Sequence, residues 1–567
     1  MISRRMTMGG SLFAFAALTV SCSDLPSTEQ EEQKQIEETT SQPPMMKLTE
    51  ASENNMKNII TENYQGPFGG VPQFDKVALE DFEPGVKAAI AEGLAEIDAI
   101  AENEAPATFE NTIVALERQG KALSRASTYY YLWSNNLSSP EFQEIESKID
   151  PLYAEYRSQI IQNEKLFKRI ETVWNDKDAL NELGEEEQRL TWDYYTDYVR
   201  AGAALSTETK ERIGDINEDL SKLYTQFSQN LLHDEESYVT WLKEEQLSGL
   251  PENLKEAAAS AATERGRSGE YAILNTRSSM EPFLTYADDR ALREQVWRTY
   301  YNRGDNGDET DNNAIISDIL RLRNERSRLQ GYDNFAARAI EKQVAKTPAQ
   351  AMDLMQRVWP AAIARVEEEV ADMQAVADRE GANITIAPWD YRYYAEKVRQ
   401  ETYDLDTNEV KQYLQLSHLV DGMFWMAKEL YDFNFQDVTD QVPVFHEDVR
   451  VWEVTREGDH QGLFYFDPYA RPGKRSGAWM TSYRTQDKLD GATPVIVSNN
   501  SNFIKGAEGE PTLISWDDAT TLLHEFGHAV HGLLSDVTYP SLSGTAVPRD
   551  YVEFPSQVHE NWLMTSE

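Results

Sequence analysis

Apolar residues recur at helical spacing through most of this 567-residue chain, and this periodicity limits what it can fold into. The pattern begins with Val86, Ile90, Leu94, Ile97 and Ile100. Residues at such intervals share one face of an α-helix. Long amphipathic helices are therefore predicted over 206–230, 311–330, 349–380 and 408–432. With 40% hydrophobic residues, the chain can bury a large core, and a mainly α protein is expected.

A short β-rich stretch precedes residue 516. Here apolar and polar residues alternate, as in VRVWEVT, and turn residues such as REGDHQ separate the runs. The stretch predicts a hairpin and two further strands, at 449–455, 462–470, 493–500 and 511–515. Ser515 and Asp518 then resemble a capping box at a helix start. A small β-sheet is therefore expected just before that helix.

The first residues, MISRRMTMGGSLFAFAALTVSCSD, combine a basic start with a short apolar run and the only cysteine of the chain, Cys22. The apolar run is too short to span a bilayer. The pattern resembles a bacterial lipoprotein signal over residues 1–21, with Cys22 as the lipid-modified residue. An ordinary signal peptide is the alternative. We expect a lipid-anchored protein of the bacterial cell envelope, facing the periplasm and placed preferentially at the outer membrane.

Charge and composition narrow the choice of partners. The formal net charge is −43, and so acidic a surface repels nucleic acid and anionic membranes. Residues 22–58 are rich in Glu, Gln, Ser and Thr and offer few apolar side chains. This segment is expected to be a disordered acidic tether. Membrane contact is therefore expected only through the lipid anchor, and the protein is expected to be a monomer.

The run LHEFGHAV places two of the eight histidines of the chain four residues apart, with a carboxylate between them. On a helix His524 and His528 lie about 40° apart, so both imidazoles can bind one metal ion. Neutral imidazole suits zinc. Glu525 is turned away from the pair and can act as general base on a zinc-bound water that attacks a carbonyl. The motif predicts a zinc hydrolase with one Zn²⁺ per chain.

A catalytic zinc needs a third protein ligand. His531 lies only three residues after His528 and is interpreted as a packing residue or a neighbour of the site. Leu534 stands where the metzincin pattern requires a histidine, which excludes that class. Glu553 and Glu560 lie seven residues apart, on one helical face, and spacing alone does not choose between them.

Four stretches can be compared with known families: HEFGHAVHGLLSD, YPSLSGTAVPRDYVEFPSQVHENW, PATFENTIVALE at 106–117 and YFDPYARPGKRSGAWM at 465–480. Together they resemble the M3 zinc metallopeptidases, the thimet oligopeptidase family. Within these stretches, SGTAVPRDYVEFPSQ is most similar to sequences of the peptidyl-dipeptidase branch of the family. The resemblance covers roughly residues 60 to 567 and implies a multi-helical, zincin-like fold with two lobes around a deep channel. It implies an N-terminal helical region over 59–275 and a catalytic domain over 276–567.

The resemblance also assigns roles to residues. It implies zinc ligands at His524, His528 and Glu553, with Glu525 as the base. Glu560 is then expected to contact a ligand without binding the zinc itself. Gly544 matches a flexible loop that contacts substrate in the family.

The family resemblance implies a function and two alternatives. The implied activity is removal of C-terminal dipeptides from short peptides. The alternatives are an endo-acting oligopeptidase on the same fold and a non-catalytic peptide-binding lipoprotein. In the family a further helical segment follows, with a histidine and tyrosines that bind substrate. Because the sequence stops at Glu567, we expect a C-terminally truncated fragment.

Overall fold

A computed structural model describes residues 58–403, 407–506 and 509–565. The predicted fold class is confirmed, because the structure is 61% helix and 10% strand. The first helices are α1 (Phe82–Ala101), α2 (Ala115–Arg118), α3 (Lys121–Asn136), α4 (Pro140–Gln162), α5 (Glu164–Asn175), α6 (Lys177–Glu182), α7 (Glu185–Ala201) and α8 (Thr207–Ser237). The next are α9 (Glu252–Glu264), α10 (Arg277–Tyr286), α11 (Arg290–Tyr301), α12 (Asn313–Leu329), α13 (Phe335–Ile340), α14 (Pro348–Arg379), α15 (Tyr391–Tyr403) and α16 (Thr407–Lys411). The last are α17 (Leu416–Tyr431), α18 (Trp516–Leu533) and α19 (Arg549–Glu560).

The described strands form two sheets. They are β1 (Val239–Leu242), β2 (Tyr271–Leu274), β3 (Phe433–Asp437), β4 (Arg450–Arg456), β5 (Asp459–Tyr469), β6 (Trp479–Arg484) and β7 (Val495–Phe503). Strands β1 and β2 pair with each other, and the larger sheet has the order β3-β4-β5-β7-β6. Only β5 and β7 pair in parallel in this sheet; the other neighbours are antiparallel.

Helices cover both faces of the five-stranded sheet. In β5, Leu463 and Tyr465 pack with α1, α3 and α4, whereas Phe464 and Phe466 pack with α17 and α18. Side chains alternate between the two faces of a strand, so a strand covered on both sides is apolar throughout. This burial fixes α18 against the sheet.

A second group of helices has cores of its own. Helices α9, α10 and α11 pack with β1 and β2, α8 packs with α12, and α14 packs with α15. A cavity of about 770 Å³ lies between this group and α18. The predicted arrangement of two lobes around a deep channel stays a prediction.

Most of the elements predicted from the sequence are confirmed. The predicted hairpin is β4 and β5, joined by Glu457 and Gly458, which both have positive φ, as a type I′ turn requires. The helices predicted at 206–230, 311–330 and 349–380 are α8, α12 and α14.

Two predictions about the elements around α18 are wrong, and one contact explains both. The helix predicted over 408–432 is interrupted between α16 and α17, and 511–515 is not a strand. Instead, Gln415 and Leu513 form an isolated bridge, with hydrogen bonds from Leu416 N to Thr512 O and from Ile514 N to Leu414 O. The chain leaves its helix to pair there, which helical periodicity does not reveal.

In the described part of the chain, no helix combines the length and the apolar character that crossing a membrane requires. The predicted signal segment over 1–21 and nearly all of the predicted tether over 22–58 lie outside the described residues.

Candidate metal centre

Helix α18 presents the HEFGH stretch from a well-defined start. Ser515 Oγ accepts the N–H of Asp518 at 3.0 Å, and the Asp518 carboxylate accepts the N–H of Ser515 at 3.0 Å. This is the predicted capping box, which satisfies two backbone donors at the helix start. Leu522, Phe526 and Ala529 are buried against the sheet. The helix is therefore held at its start and along one face, while its histidines point elsewhere.

Helix α19 crosses α18 at very short range because Gly527 has no side chain. A Cβ added at Gly527 would lie 2.6 Å from Ser556 Cα and 2.9 Å from His559 Nδ1. Such distances are below any normal van der Waals contact, so glycine is required for the crossing. The crossing brings the Glu553 side chain over the turn that carries His524 and His528.

Three ligand atoms converge where the two helices cross. Glu553 Oε2 lies 3.2 Å from His524 Nε2 and 3.2 Å from His528 Nε2, and all three atoms lie within 4.8 Å of one another. Zinc–ligand bonds of 2.0–2.1 Å in a tetrahedron put ligand atoms about 3.3 Å apart. Lone pairs from two imidazoles and a carboxylate repel one another unless a cation or proton lies between them. Both the spacing and the donor set fit zinc.

The carboxylates and hydroxyl around these ligands hold them in place. Glu560 Oε1 lies 2.7 Å from His524 Nδ1, on the side of the ring away from the other ligands. Ser556 Oγ donates to Glu553 Oε2 at 3.1 Å. Hydrogen bonds of this kind orient metal ligands. The structure thus places Glu553 among the ligand atoms and Glu560 behind His524.

Glu525 lies beside the ligands in a largely apolar setting. Its side chain is buried, and its carboxylate accepts a hydrogen bond from the backbone of Met480 on β6. Burial raises the pKa of Glu525 to about 7, and the charge of Glu553 adds to this rise, while His524 and the Met480 hydrogen bond oppose it. Burial also lowers the pKa of His528, which favours the neutral ring that binds metals.

The remaining predicted site residues lie outside the ligand cluster. His531 is half-buried on α18, and burial lowers its pKa. Gly544 has φ +56°, and its N–H donates to Ser535 Oγ at 2.9 Å. A Cβ at Gly544 would lie 3.2 Å from Gly532 Cα, so this loop packs against the end of α18. Cys22 lies outside the described residues.

Sequence reasoning missed two contacts of the site. The bond from Ser556 to Glu553 spans three residues of one helix, and this spacing was a usable signal. The contact between Glu525 and Met480 depends on how β6 lies against α18, and nothing in the local sequence predicts it.

Two histidines four residues apart on one helix, a glutamate after the first and a carboxylate from a second helix define a zinc-peptidase type of site. Comparison with known proteins agrees. Residues 283–567 match the profile described as peptidase family M3. The chain belongs to this family and is a metallopeptidase. The predicted alternative of a non-catalytic binding protein is therefore wrong.

Relatives of two kinds match most of the chain. It is 37% identical to the dipeptidyl carboxypeptidase of Escherichia coli (strain K12) over 497 residues, which is 87% of this chain and 72% of the relative. It is 32% identical to oligopeptidase A of the same strain over 509 residues, 88% of this chain and 74% of the relative. The probable cytosolic oligopeptidase A of Arabidopsis thaliana is 28% identical over 534 residues, 90% of this chain and 74% of the relative.

The predicted location in the cell envelope is wrong. The matched relatives, dipeptidyl carboxypeptidase and oligopeptidase A, are cytosolic enzymes. The prediction rested on a basic start, a short apolar run and Cys22, and the relatives are not lipoproteins.

Proposed function

We propose that this chain is a zinc-dependent peptidase that shortens small peptides by releasing dipeptides from their C-termini. The convergence of His524 Nε2, His528 Nε2 and Glu553 Oε2 within 4.8 Å carries the proposal. Similarity to a dipeptidyl carboxypeptidase over 87% of the chain supports the release of dipeptides.

In this proposal His524, His528 and Glu553 hold one zinc ion. Zinc at such a site polarises a peptide carbonyl and makes a coordinated water more acidic. Glu525 takes a proton from the attacking water at its carboxylate and gives it to the amine nitrogen of the leaving peptide. Burial beside the backbone of Met480 raises the pKa of this carboxylate to about 7, which suits a group that takes up and returns a proton near neutral pH. Glu560 keeps the His524 ring oriented, so that Nε2 faces the metal.

A second mode of cleavage fits the same site. Oligopeptidase A is similar to 88% of the chain, at 32% identity, and favours an endo-acting oligopeptidase. Both modes use the same ligands and the same base. They differ in whether the free C-terminal carboxylate of the substrate must be bound.

The test is mass spectrometry of an N-acetylated octapeptide incubated with the zinc-loaded protein, with and without a chelator. We expect stepwise loss of C-terminal dipeptides that stops when zinc is removed. Internal cleavage without dipeptide steps would support the endo-acting mode instead. Unchanged octapeptide, at full zinc content, would refute peptidase activity of this chain.

A further inference from the structure

The cavity between α18 and the second group of helices lies on the metal-binding side of α18. Asp517 and Thr521 form its α18 wall. At 100° per residue, these two side chains and both histidines fall within a sector of about 60° around the helix axis. The cavity therefore continues the face that carries His524 and His528 towards the start of the helix.

Three arginines line this cavity, although the chain as a whole carries a net charge of −43. Arg277 begins α10, Arg392 lies on α15, and Arg303 follows α11. Arg277 Nε and Arg392 Nη2 donate to the same oxygen of Glu281, at 3.0 and 2.6 Å. Sharing one acceptor brings these two guanidinium groups together although they come from different helices.

The arginines keep donors free. A guanidinium has five N–H donors, and among the described residues the Arg277 side chain donates only through Nε and the Arg392 side chain only through Nη2. Arg303 contacts Glu235 through Nη1 and donates from Nε to the Tyr300 carbonyl. Its Nη2 has no hydrogen-bond acceptor among the described residues. Free guanidinium edges suit a carboxylate, which can accept two parallel hydrogen bonds.

The near end of this cavity lies about one dipeptide length along α18 from the metal-binding turn. With a rise of 1.5 Å per residue, Thr521 lies about 7.5 Å along the axis from the midpoint of the two histidines, and Asp517 about 13.5 Å. An extended peptide covers at most about 3.5 Å per residue, so two residues reach about 7 Å. A carboxylate two residues beyond the cleaved bond can therefore reach the near wall of the cavity at Thr521, opposite the arginines that also line it.

We propose that Arg277, Arg303 and Arg392 bind the free C-terminal carboxylate of the dipeptide that the enzyme releases. The assignment rests on the proposed function and adds the group of the substrate that is recognised. Glu281 holds two of the arginines together and also competes with the substrate for their charge. Such a subsite predicts a preference for free C-termini, because an amidated end offers no anion to the three guanidinium groups.

Direct binding tests this subsite without catalysis. Calorimetric titration of the zinc-loaded full chain with phenylalanyl-alanine and with its C-terminal amide should show at least tenfold tighter binding of the free acid. The double variant R277Q/R392Q should lose this preference. Arg298 lies on α11 but does not line the cavity, so R298Q should keep the preference. Circular dichroism checks that all variants are folded.

A third variant protects the test against misfolding. Glu281→Gln keeps an oxygen that can accept hydrogen bonds but removes the competing charge, so it should bind the free acid several-fold more tightly than the wild type. A purely structural role of the cluster predicts weaker binding instead. Equal binding of acid and amide by the wild type, or an undiminished preference in R277Q/R392Q, would overturn the proposal.

Cleavage assays separate this proposal from the proposed function. The octapeptide with a free C-terminus and the same peptide amidated are compared in the wild type and in R277Q/R392Q. If both proteins cleave both peptides equally, the proposed peptidase activity is supported and the proposed subsite is refuted. If neither peptide is cleaved but the calorimetric preference for the free acid is lost in R277Q/R392Q, the subsite is supported and the proposed peptidase activity is refuted.

Discussion

Glu525 lies on α18 with the two histidines, but its carboxylate is not among the three converging ligand atoms. It is buried near the backbone of Met480 on β6. A substitution of equal size at Glu525 should therefore leave the ligand atoms in place.

The first prediction follows from this separation. Glu525→Gln keeps the shape of the side chain but cannot take up a proton, so kcat should fall by roughly 10²–10⁴-fold. Zinc content, measured by atomic absorption, should stay at the wild-type level. A variant that lost zinc together with activity would show that Glu525 supports the ligands after all.

The contact of Glu560 with His524 leads to a second prediction. Glu560→Ala removes the acceptor at 2.7 Å from Nδ1, which frees the ring to rotate and makes it less basic. Zinc affinity, measured by competition with a chelating dye, should fall by about 10–100-fold. Glu560→Gln keeps an acceptor oxygen and should recover part of the affinity. Unchanged affinity in the alanine variant would contradict the orienting role.

Asp467 gives a third prediction, about stability and pH. It is fully buried, which raises its pKa, but hydrogen bonds and charges from Arg471 and Lys474, with a hydrogen bond from Asn136, outweigh burial and lower it overall. Burial lowers the pKa of Lys474 to about 8. A carboxyl group with a lowered pKa in the folded state stabilises the fold above its unfolded value of about 3.9, and this contribution is lost as the pH falls through the folded value.

Asp467→Asn should therefore reduce the free energy of unfolding by about 3–5 kcal/mol at pH 7, because it leaves Arg471 and Lys474 without their buried partner. The difference from the wild type should shrink as the pH falls below about 4, where Asp467 of the unfolded chain takes up a proton, and should vanish below the lower pKa of the folded state. Urea unfolding at several pH values measures both. A difference that stays constant down to pH 2 would show that charge is not the cause.

At the scale of single residues, sequence patterns predict which side chains lie together on one helix. They do not predict which side chains of two different helices meet. The spacing of His524 and His528 is a property of one helix and brought them together as expected. Glu553 and Glu560 share a helical face, so periodicity could not choose between them. The choice depends on how α19 crosses α18, which is set by contacts between residues far apart in the chain.

At the scale of elements, the crossing of α18 and α19 depends on one absent side chain. Gly527→Ala would force the helices apart, because the new Cβ would meet the backbone of Ser556 at 2.6 Å. This fourth prediction is a loss of zinc affinity of at least tenfold, since Glu553 moves with α19, together with a lower melting temperature.

Gly422, in the interior of α17, provides the matched control. A Cβ there would meet nothing within 4 Å, so Gly422→Ala should raise the free energy of unfolding by about 0.5–1 kcal/mol and leave zinc affinity unchanged. If both alanine variants behaved alike, helix propensity and not the crossing would explain the effect of Gly527→Ala.

Elements with a clear internal pattern were predictable, including the hairpin of β4 and β5, whereas elements that depend on pairing with a distant segment were not. Helices α8, α12 and α14 show their pattern over many turns. Strand β6 lies in a stretch rich in glycine and polar residues, and only its pairing with β7 makes it a strand. The interruption between α16 and α17 likewise depends on a partner about a hundred residues away. Pairing between distant segments leaves little trace in either local sequence.

At the scale of the whole molecule, the fold class and the family followed from motifs distributed along the chain, and both are confirmed. The predicted location in the cell envelope is wrong, because it rested on one short pattern in residues 1–22 and not on motifs distributed along the chain. The division into regions at residue 276 stays a prediction. The subsite proposed above joins separate groups of helices, because its arginines lie on or beside α10, α11 and α15 and the metal ligands lie on α18 and α19.

The sheet joins parts of the chain that are far apart in sequence. Asn136 bonds to Asp467 and Asn500, and the Tyr64 hydroxyl bonds to the backbone of Tyr483. These contacts close loops of more than 300 residues, and folding slows as contacts become less local. During synthesis, α1, α3 and α4 must wait for the sheet that covers them. Their apolar faces are then open to chaperones and proteases, so the yield of folded enzyme in a cell should depend on how quickly the ribosome reaches β7.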